Sequence, residues 1–545
     1  MLNETLLYLL VIGIFSLVRT REKYAFAFSL VLTFFTCLVF AFFVMDWRIL
    51  TDSPQIFNIG GTVGENIKLD IISSKQNYML ILPFFINTLL ALGNNLIFKY
   101  EKHKKQMLSL FVFNLISFMM LICGNNFIQF MTFVFVIDIL SQLLISDTNA
   151  AKRYSIYNLV ADMGIFLVLS MLQGKLANLD VGNISHYYET GRHRDFIMFV
   201  LMLSLFVKFG FILFQGYWLD LKSAKFHALY FLTYLSTPMA ALILFIKFYP
   251  IVVVSPSFEP LLDWAVGLSM AWGGFGAFFA PQIKEKFVYY HMLCVAFLVK
   301  LIEQASFVWN GVFSNILICL FIFNLCLYYL HYEIDREHGK NTKSLFLVFL
   351  AFLFVAAALS LQVFALYTPQ NAVWILAFEG LFLFSLAQMF ALYGGKLRVQ
   401  SQNQALSLRT GVVMLGAVLL LSYMSSFEIA KYGWALCFVF LFFVLCFLLP
   451  QRLNEAARSF YAKIQYIDLF ELFYDKCVVR VCKNAGILAH IFIDFIFLER
   501  TLWPLVSKLN GFLINTYRHV SRLGGFYYVV CSVVGFLLLV YLMVR

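Results

Sequence analysis

Ile467-Asp468-Leu469-Phe470-Glu471-Leu472-Phe473-Tyr474-Asp475-Lys476-Cys477-Val478-Val479-Arg480-Val481-Cys482-Lys483 decides how this chain must be read. Most of its charged side chains return at steps of three, four or seven residues, and the pattern runs on through His490 and Asp494. Apolar residues fill the intervals, among them Phe470, Phe473, Val478, Ile487 and Ile491. That spacing predicts a helix with a polar stripe on one side and an apolar face on the other. From Tyr466 to just before Pro504 it would extend about 60 Å at ~1.5 Å per residue, roughly twice the hydrocarbon thickness of a bilayer. Such a helix, or a kinked pair of interfacial helices, lies along a membrane and does not cross it. The apolar run 526–543 then returns the chain to the bilayer.

Composition agrees with a membrane setting. Of 545 residues, 62% are hydrophobic and 13% charged, a balance no soluble fold needs, so the chain is read as polytopic. In a soluble protein the net charge of +11 would suggest nucleic acid. Here it reads as basic cytoplasmic loops, and no nucleic-acid partner is expected. Met1-Leu2-Asn3-Glu4-Thr5 lacks a basic flank, so the first apolar run is expected to be a retained span. The ten cysteines lie mostly inside apolar runs without a C-x-x-C pair, which suits buried packing better than disulfides, zinc or clusters.

Apolar runs of bilayer length give sixteen spans. They centre on 6–18, 25–44, 78–98, 107–123, 127–145, 157–171, 196–219, 226–248, 261–280, 287–307, 312–330, 344–366, 373–393, 410–425, 432–449 and 526–543. Loop charge tests the count. Nineteen lysines and arginines fall in one set of alternate loops against seven in the other. An extra or missing span would scramble that asymmetry. The basic side is expected in the cytoplasm of a cell whose plasma (inner) membrane holds the chain, with both termini outside. The amphipathic stretch then lies on the cytoplasmic face.

A charge inside a span is expensive enough to be a functional candidate. Lys208 is the sharpest, mid-span in Leu205-Phe206-Val207-Lys208-Phe209-Gly210 with no acidic residue within a turn. Burial favours the uncharged amine, so such a lysine can take up and return a proton. The plainer reading is a lysine neutralised by a carboxylate on a neighbouring helix. Asp138 in the fifth span and Asp162 in the sixth are the two partners on offer, and either serves a relay or a static ion pair. Lys300 and Glu303 share one face of the tenth span and can neutralise each other. His291 and Glu379 are further in-span titratable groups. Trp272-Gly273-Gly274-Phe275-Gly276 lacks a third glycine and sits in a span, so it reads as helix packing and not as a dinucleotide fingerprint. No motif supports redox, nucleotide or hydrolytic chemistry in this chain.

Sixteen spans, a lateral helix and a closing span together resemble the antiporter-like membrane subunits of respiratory NADH-quinone oxidoreductase (complex I), subunit L above all. The local resemblance is carried by 470–480 and by Ser141-Gln142-Leu143-Leu144-Ile145, Asn158-Leu159-Val160-Ala161-Asp162-Met163-Gly164 and Gln282-Ile283-Lys284-Glu285-Lys286. It implies an all-α membrane protein of about sixteen transmembrane helices with two inverted five-helix repeats. On that plan residues 1–106 hold helices 1–3, 107–248 the first repeat, 249–393 the second and 394–465 helices 14–15. Residues 466–525 form the lateral helix and 526–545 the last span.

The same resemblance places Lys208 at the family's first-repeat lysine, Asp162 at its aspartate and Lys284 at a basic residue before the tenth span. The family's glutamate falls on Phe135, one turn before Asp138. Its later lysines fall near Ser314 and near Gln370 or Asn371. The implied role is a membrane-arm subunit working beside sister membrane subunits, with proton translocation through Lys208, Asp162, Asp138, Lys284, Lys300 and Glu303. Quinone and NADH belong to partner subunits, and no cofactor or metal is expected in this chain. A non-pumping scaffold of such a complex and a subunit of a multisubunit cation/proton antiporter are the alternatives.

Overall fold

The computed structural model describes residues 2–17, 22–49, 55–58, 70–97, 104–145, 147–173, 192–221, 232–233, 235–253, 258–280, 283–303, 312–335, 359, 363, 373–382, 480 and 484. Nearly all of the twelfth span, spans fourteen to sixteen and nearly all of the lateral stretch lie outside the described residues. The chain divides into two compact units, Met1–Tyr466 and Ile467–Arg545, and the division falls where the amphipathic stretch begins. In the second unit Arg480 and Asn484 are helical and exposed.

The first unit is built of helices, because in lipid a helix satisfies its own backbone hydrogen bonds. In chain order they are α1 Leu2–Ser16, α2 Glu22–Ile49, α3 Lys75–Ile97, α4 Lys104–Cys123, α5 Phe127–Gln142, α6 Thr148–Gln173 and α7 Arg192–Phe209. The short α8 Gly216–Asp220 follows, then α9 Thr237–Val253, α10 Glu259–Phe279, α11 Ile283–Glu303, α12 Val312–Asp335 and α13 Val373–Phe382. Ala27–Trp47, Lys75–Gly93 and Asn149–Leu172 are each long and apolar enough to cross a bilayer. The stripe Leu30, Phe34, Leu38, Phe42 and Met45 is exposed along α2. A water-soluble monomer does not leave such a patch open, so the chain is a multi-pass membrane protein.

Local sequence sets the helix ends. Asn126 is extended and its side-chain oxygen accepts from Ile128 N at 2.9 Å, which caps α5. Pro260 occupies the first turn of α10, where its missing N–H has no helical partner to lose. At the other end of α10, buried Lys286 donates to the carbonyls of Ala277 at 3.0 Å and Phe278 at 2.8 Å. Those two acceptors would otherwise be stranded in the core.

One feature departs from the all-α expectation. Gln55–Asn58 (β1) and Asp70–Ser73 (β2) pair antiparallel, Gln55 opposite Ser73, inside the loop between the second and third spans. Buried Ile71 bridges to Gly124, and Asn77 donates to the Ile72 carbonyl, so the hairpin is tied to the start of α3 and the turn before α5. Four-residue strands inside a polar loop leave too short an alternation to be read in advance.

Packing is dominated by aromatic and small residues. Phe84 of α3 stacks on Phe118 of α4 at 4.5 Å, and Ser314 of α12 donates to the Met79 carbonyl of α3 at 2.6 Å. The α10–α11 hairpin closes through the glycine run: a Cβ on Gly273 would meet Leu293 N at 2.7 Å. The Trp272–Gly276 segment is a helix-packing face, as its place in a span predicts.

Candidate functional site

Helix α7 ends one residue past Lys208, and the way it ends fixes that side chain. Gly210 adopts φ +65°. Its N–H bonds to Val207 O at 3.0 Å, while Phe211 N bonds back to Phe206 O at 3.1 Å. This is the glycine-terminated cap that satisfies the last carbonyls of a helix. The Tyr217 hydroxyl, on α8, donates to the Val207 and Lys208 carbonyls at 2.9 and 3.0 Å. Trp218 closes over the turn so tightly that a Cβ on Gly210 would lie 1.8 Å from its ring.

Lys208 is 0% exposed and its ammonium is held by two helices at once. Nζ lies 2.7 Å from Asp138 Oδ2 on α5 and 2.7 Å from Asp162 Oδ1 on α6. The Asp138 contact also has the directionality of a hydrogen bond. Sequence left the choice between the two carboxylates open; the structure takes both. Gly164 brings α6 close enough, since a Cβ there would sit 2.0 Å from Ser204 Oγ, one turn before Lys208 on α7. Thr237, at the start of α9, donates to the other oxygen of Asp138, and Tyr154 Oη lies 2.5 Å from Thr237 Oγ1.

Charge balance states what such a site can do. One ammonium offsets one carboxylate, so two carboxylates around one lysine are balanced when a proton joins them. The triad can hold or release that proton without exchanging partners. Phe135 stands one turn from Asp138 and cannot take this part.

A second lysine repeats the pattern near a surface. Lys300, in the last turn of α11, is 2.5 Å from Asp263 Oδ1 on α10 and 2.5 Å from Glu303 Oε2, under the ring of Trp374 on α13 at 4.9 Å. The Lys300–Glu303 pairing follows the spacing; Asp263, inside the ninth span, is a partner that spacing does not show because it comes from another helix. Asp263 is 38% exposed, so this triad reaches the surface of the chain where the Lys208 triad does not. The two clusters lie in different parts of the bundle. Lys284 is half-buried at the start of α11.

Other in-span groups sit between or beside these clusters. His291 is buried with its ring 5.1 Å from Trp218, and a small cavity lined by Gly210, Gln215, Trp218 and His291 is large enough for about one water. Glu379 is buried in α13. Ser314, where the resemblance puts a lysine, bonds to α3 instead. Lys247 was overlooked: it lies 5.6 Å from the Phe130 ring, and its signal was a lone cation in the run 239–249. Tyr154 and Thr237 carried no signal, since hydroxyls are common in membrane helices.

These features define a class, the polytopic helical membrane protein with a buried lysine set between carboxylates of neighbouring helices. Comparison with known proteins narrows it. No family model matches the chain. It is 24% identical over 233 residues to NADH-ubiquinone oxidoreductase chain 5 of Paramecium tetraurelia, covering 38% of this chain and only 40% of that relative's length.

Solved structures match over far more of the chain. A chain of the archaeal membrane-bound sulfane sulfur reductase, a respiratory membrane complex, gives a TM-score of 0.67 at 12% identity, over 94% of this chain and 99% of that one. A chain of respiratory complex I from Thermus thermophilus gives 0.64 at 14% identity, over 82% and 100%. A chain of the Mrp complex from a Dietzia species gives 0.63 at 12% identity, over 95% and 63%. At such identities the likeness establishes the fold. The chain shares the fold of these membrane-complex chains, in keeping with the resemblance read from its sequence.

Proposed function

We propose that this chain is a membrane-arm subunit of a complex-I-type NADH-quinone oxidoreductase and that it translocates protons through Lys208, Asp138 and Asp162. The observation that carries this reading is a fully buried lysine within 2.7 Å of two carboxylates on separate helices. A purely static core is better served by apolar packing, because a buried ion cluster returns little net stability for its desolvation. Asp138 takes the part that Phe135 cannot. Lys300, Asp263 and Glu303 form a second, more exposed station, and Lys284 stands in the first turn of α11. The sixteen-span plan, the inverted repeats 107–248 and 249–393, the lateral helix 466–525 and the plasma-membrane topology with both termini outside belong to the same reading. The remaining surface packs against lipid and sister membrane subunits, while quinone and NADH are handled by partners.

Two alternatives have support of their own. Ser314 in place of a lysine favours a scaffold that keeps the architecture without the pump. The similar TM-score to a chain of the Mrp complex favours a multisubunit cation/proton antiporter. Lys208→Ala in the assembled complex separates them. A pump loses NADH-driven proton uptake into membrane vesicles while the complex persists on native gels. A scaffold pumps unchanged, and an antiporter subunit co-purifies with no quinone-reductase partner.

A further inference from the structure

The Lys208 triad does not end at its carboxylates. Most hydroxyls described in these helices turn back on their own helix: those of Thr33, Thr36, Thr88, Thr132 and Ser141 donate to carbonyls four residues earlier at 2.7–2.9 Å. Thr237 does otherwise and reaches across to Asp138 Oδ1. While Asp138 is ionised the one Thr237 proton is committed to it, so in the contact with Tyr154 Oη the tyrosine is then the donor. Every O–H on this path therefore points toward Asp138. Tyr154 is 0% exposed, yet it follows exposed Lys152 and Arg153 directly, and Arg153 pairs with half-exposed Asp220 of α8 at 3.1 Å. The contacts thus run from Tyr154, which follows the polar end of α6 in sequence, to the buried lysine.

We propose that Tyr154 and Thr237 are relay residues forming a hydroxyl leg that delivers protons to Asp138; this rests on the Lys208 reading above. In the step, the Asp138 carboxylate takes the Thr237 proton, the Thr237 oxygen takes that of Tyr154, and a hydronium ion arriving from the α6 face reprotonates Tyr154 and is left as water. Only O–H bonds break and form, and one proton moves inward. Reorientation of the two hydroxyls resets the leg.

The test uses the full chain in its native complex, with Lys208→Ala as reference. Tyr154→Phe and Thr237→Val should each slow proton uptake by roughly tenfold or more at unchanged complex abundance, with a larger solvent deuterium isotope effect than the parent. Thr237→Ser, which keeps the hydroxyl, should restore the parent rate. Equal behaviour of Thr237→Val and Thr237→Ser, or a slowed rate with no change in isotope effect, would assign both residues to packing and overturn the leg. If Tyr154→Phe pumps normally while Lys208→Ala does not, the leg falls and the lysine reading survives. If Lys208→Ala pumps normally, both fall. Should Thr237→Val fail to assemble, Tyr154→Phe decides by the same two readings.

Discussion

At the scale of single residues, the arithmetic of charge in the Lys208 triad separates stability from transport. Lys208→Met leaves Asp138 and Asp162 facing each other without a counter-ion, and stranding buried charge in this way costs about 3–5 kcal/mol. Asp162→Asn leaves one lysine against one carboxylate, a balanced pair, and should change thermal stability far less. Melting curves of the purified complex should rank Lys208→Met well below Asp162→Asn, and the reverse order would sink the triad. Proton uptake should fail in both: Asp162→Asn leaves a balanced pair with no vacancy for a proton, and Lys208→Met removes the cation against which the proton is held. Gly210 is the other residue that tolerates no replacement. Gly210→Ala places a side chain in the left-handed region, a penalty of roughly 1–2 kcal/mol, and drives its Cβ into Trp218. A lower melting temperature with a changed tryptophan emission is the expected outcome; unchanged emission would place Trp218 elsewhere.

At the scale of elements, the approach of α6 to α7 positions the triad, and a paired substitution tests it. Gly164→Ala should destabilise, since its Cβ would lie 2.0 Å from Ser204 Oγ. Ser204→Ala removes that oxygen and leaves Ser204 Cβ, 3.3 Å away, as the nearest atom. The double variant should therefore be more stable than Gly164→Ala alone, a non-additive result visible in a double-mutant cycle of melting temperatures. Simple additivity would mean the helices do not meet there. These elements also show how far the sequence could be read. Lys208 announced itself as a lone charge in an apolar run, and Asp138 and Asp162 did so for the same reason. The spans were legible because length and hydropathy are local properties. What escaped was set by tertiary contact: the hairpin β1–β2, and the use of Thr237 and Tyr154. Hydroxyl side chains show their partner only when another helix is in place.

At the scale of the whole molecule, the proposed topology makes a sidedness prediction that the loop charges alone dictate. Nineteen basic residues in one set of loops against seven in the other put Lys152 on the cytoplasmic side and the start of the ninth span outside. The amphipathic stretch containing Arg480 follows the fifteenth span and belongs with Lys152. Lys152, Glu259 and Arg480 are all exposed, so cysteines placed there one at a time, in a background lacking the ten native cysteines, can be reached by a membrane-impermeant thiol reagent. In sealed vesicles with the cytoplasmic face outward, Lys152→Cys and Arg480→Cys should label at once and Glu259→Cys only after permeabilisation. Arg480→Cys labelling with Glu259→Cys would mean an odd number of crossings between Lys152 and Arg480. It would remove the lateral helix from the cytoplasmic face, and with it the structural ground for seating this chain in a membrane arm of the proposed kind. Labelling of all three from one side would instead show that the ninth span begins inside, which breaks the inverted relation between 107–248 and 249–393 while leaving the Lys208 triad untouched.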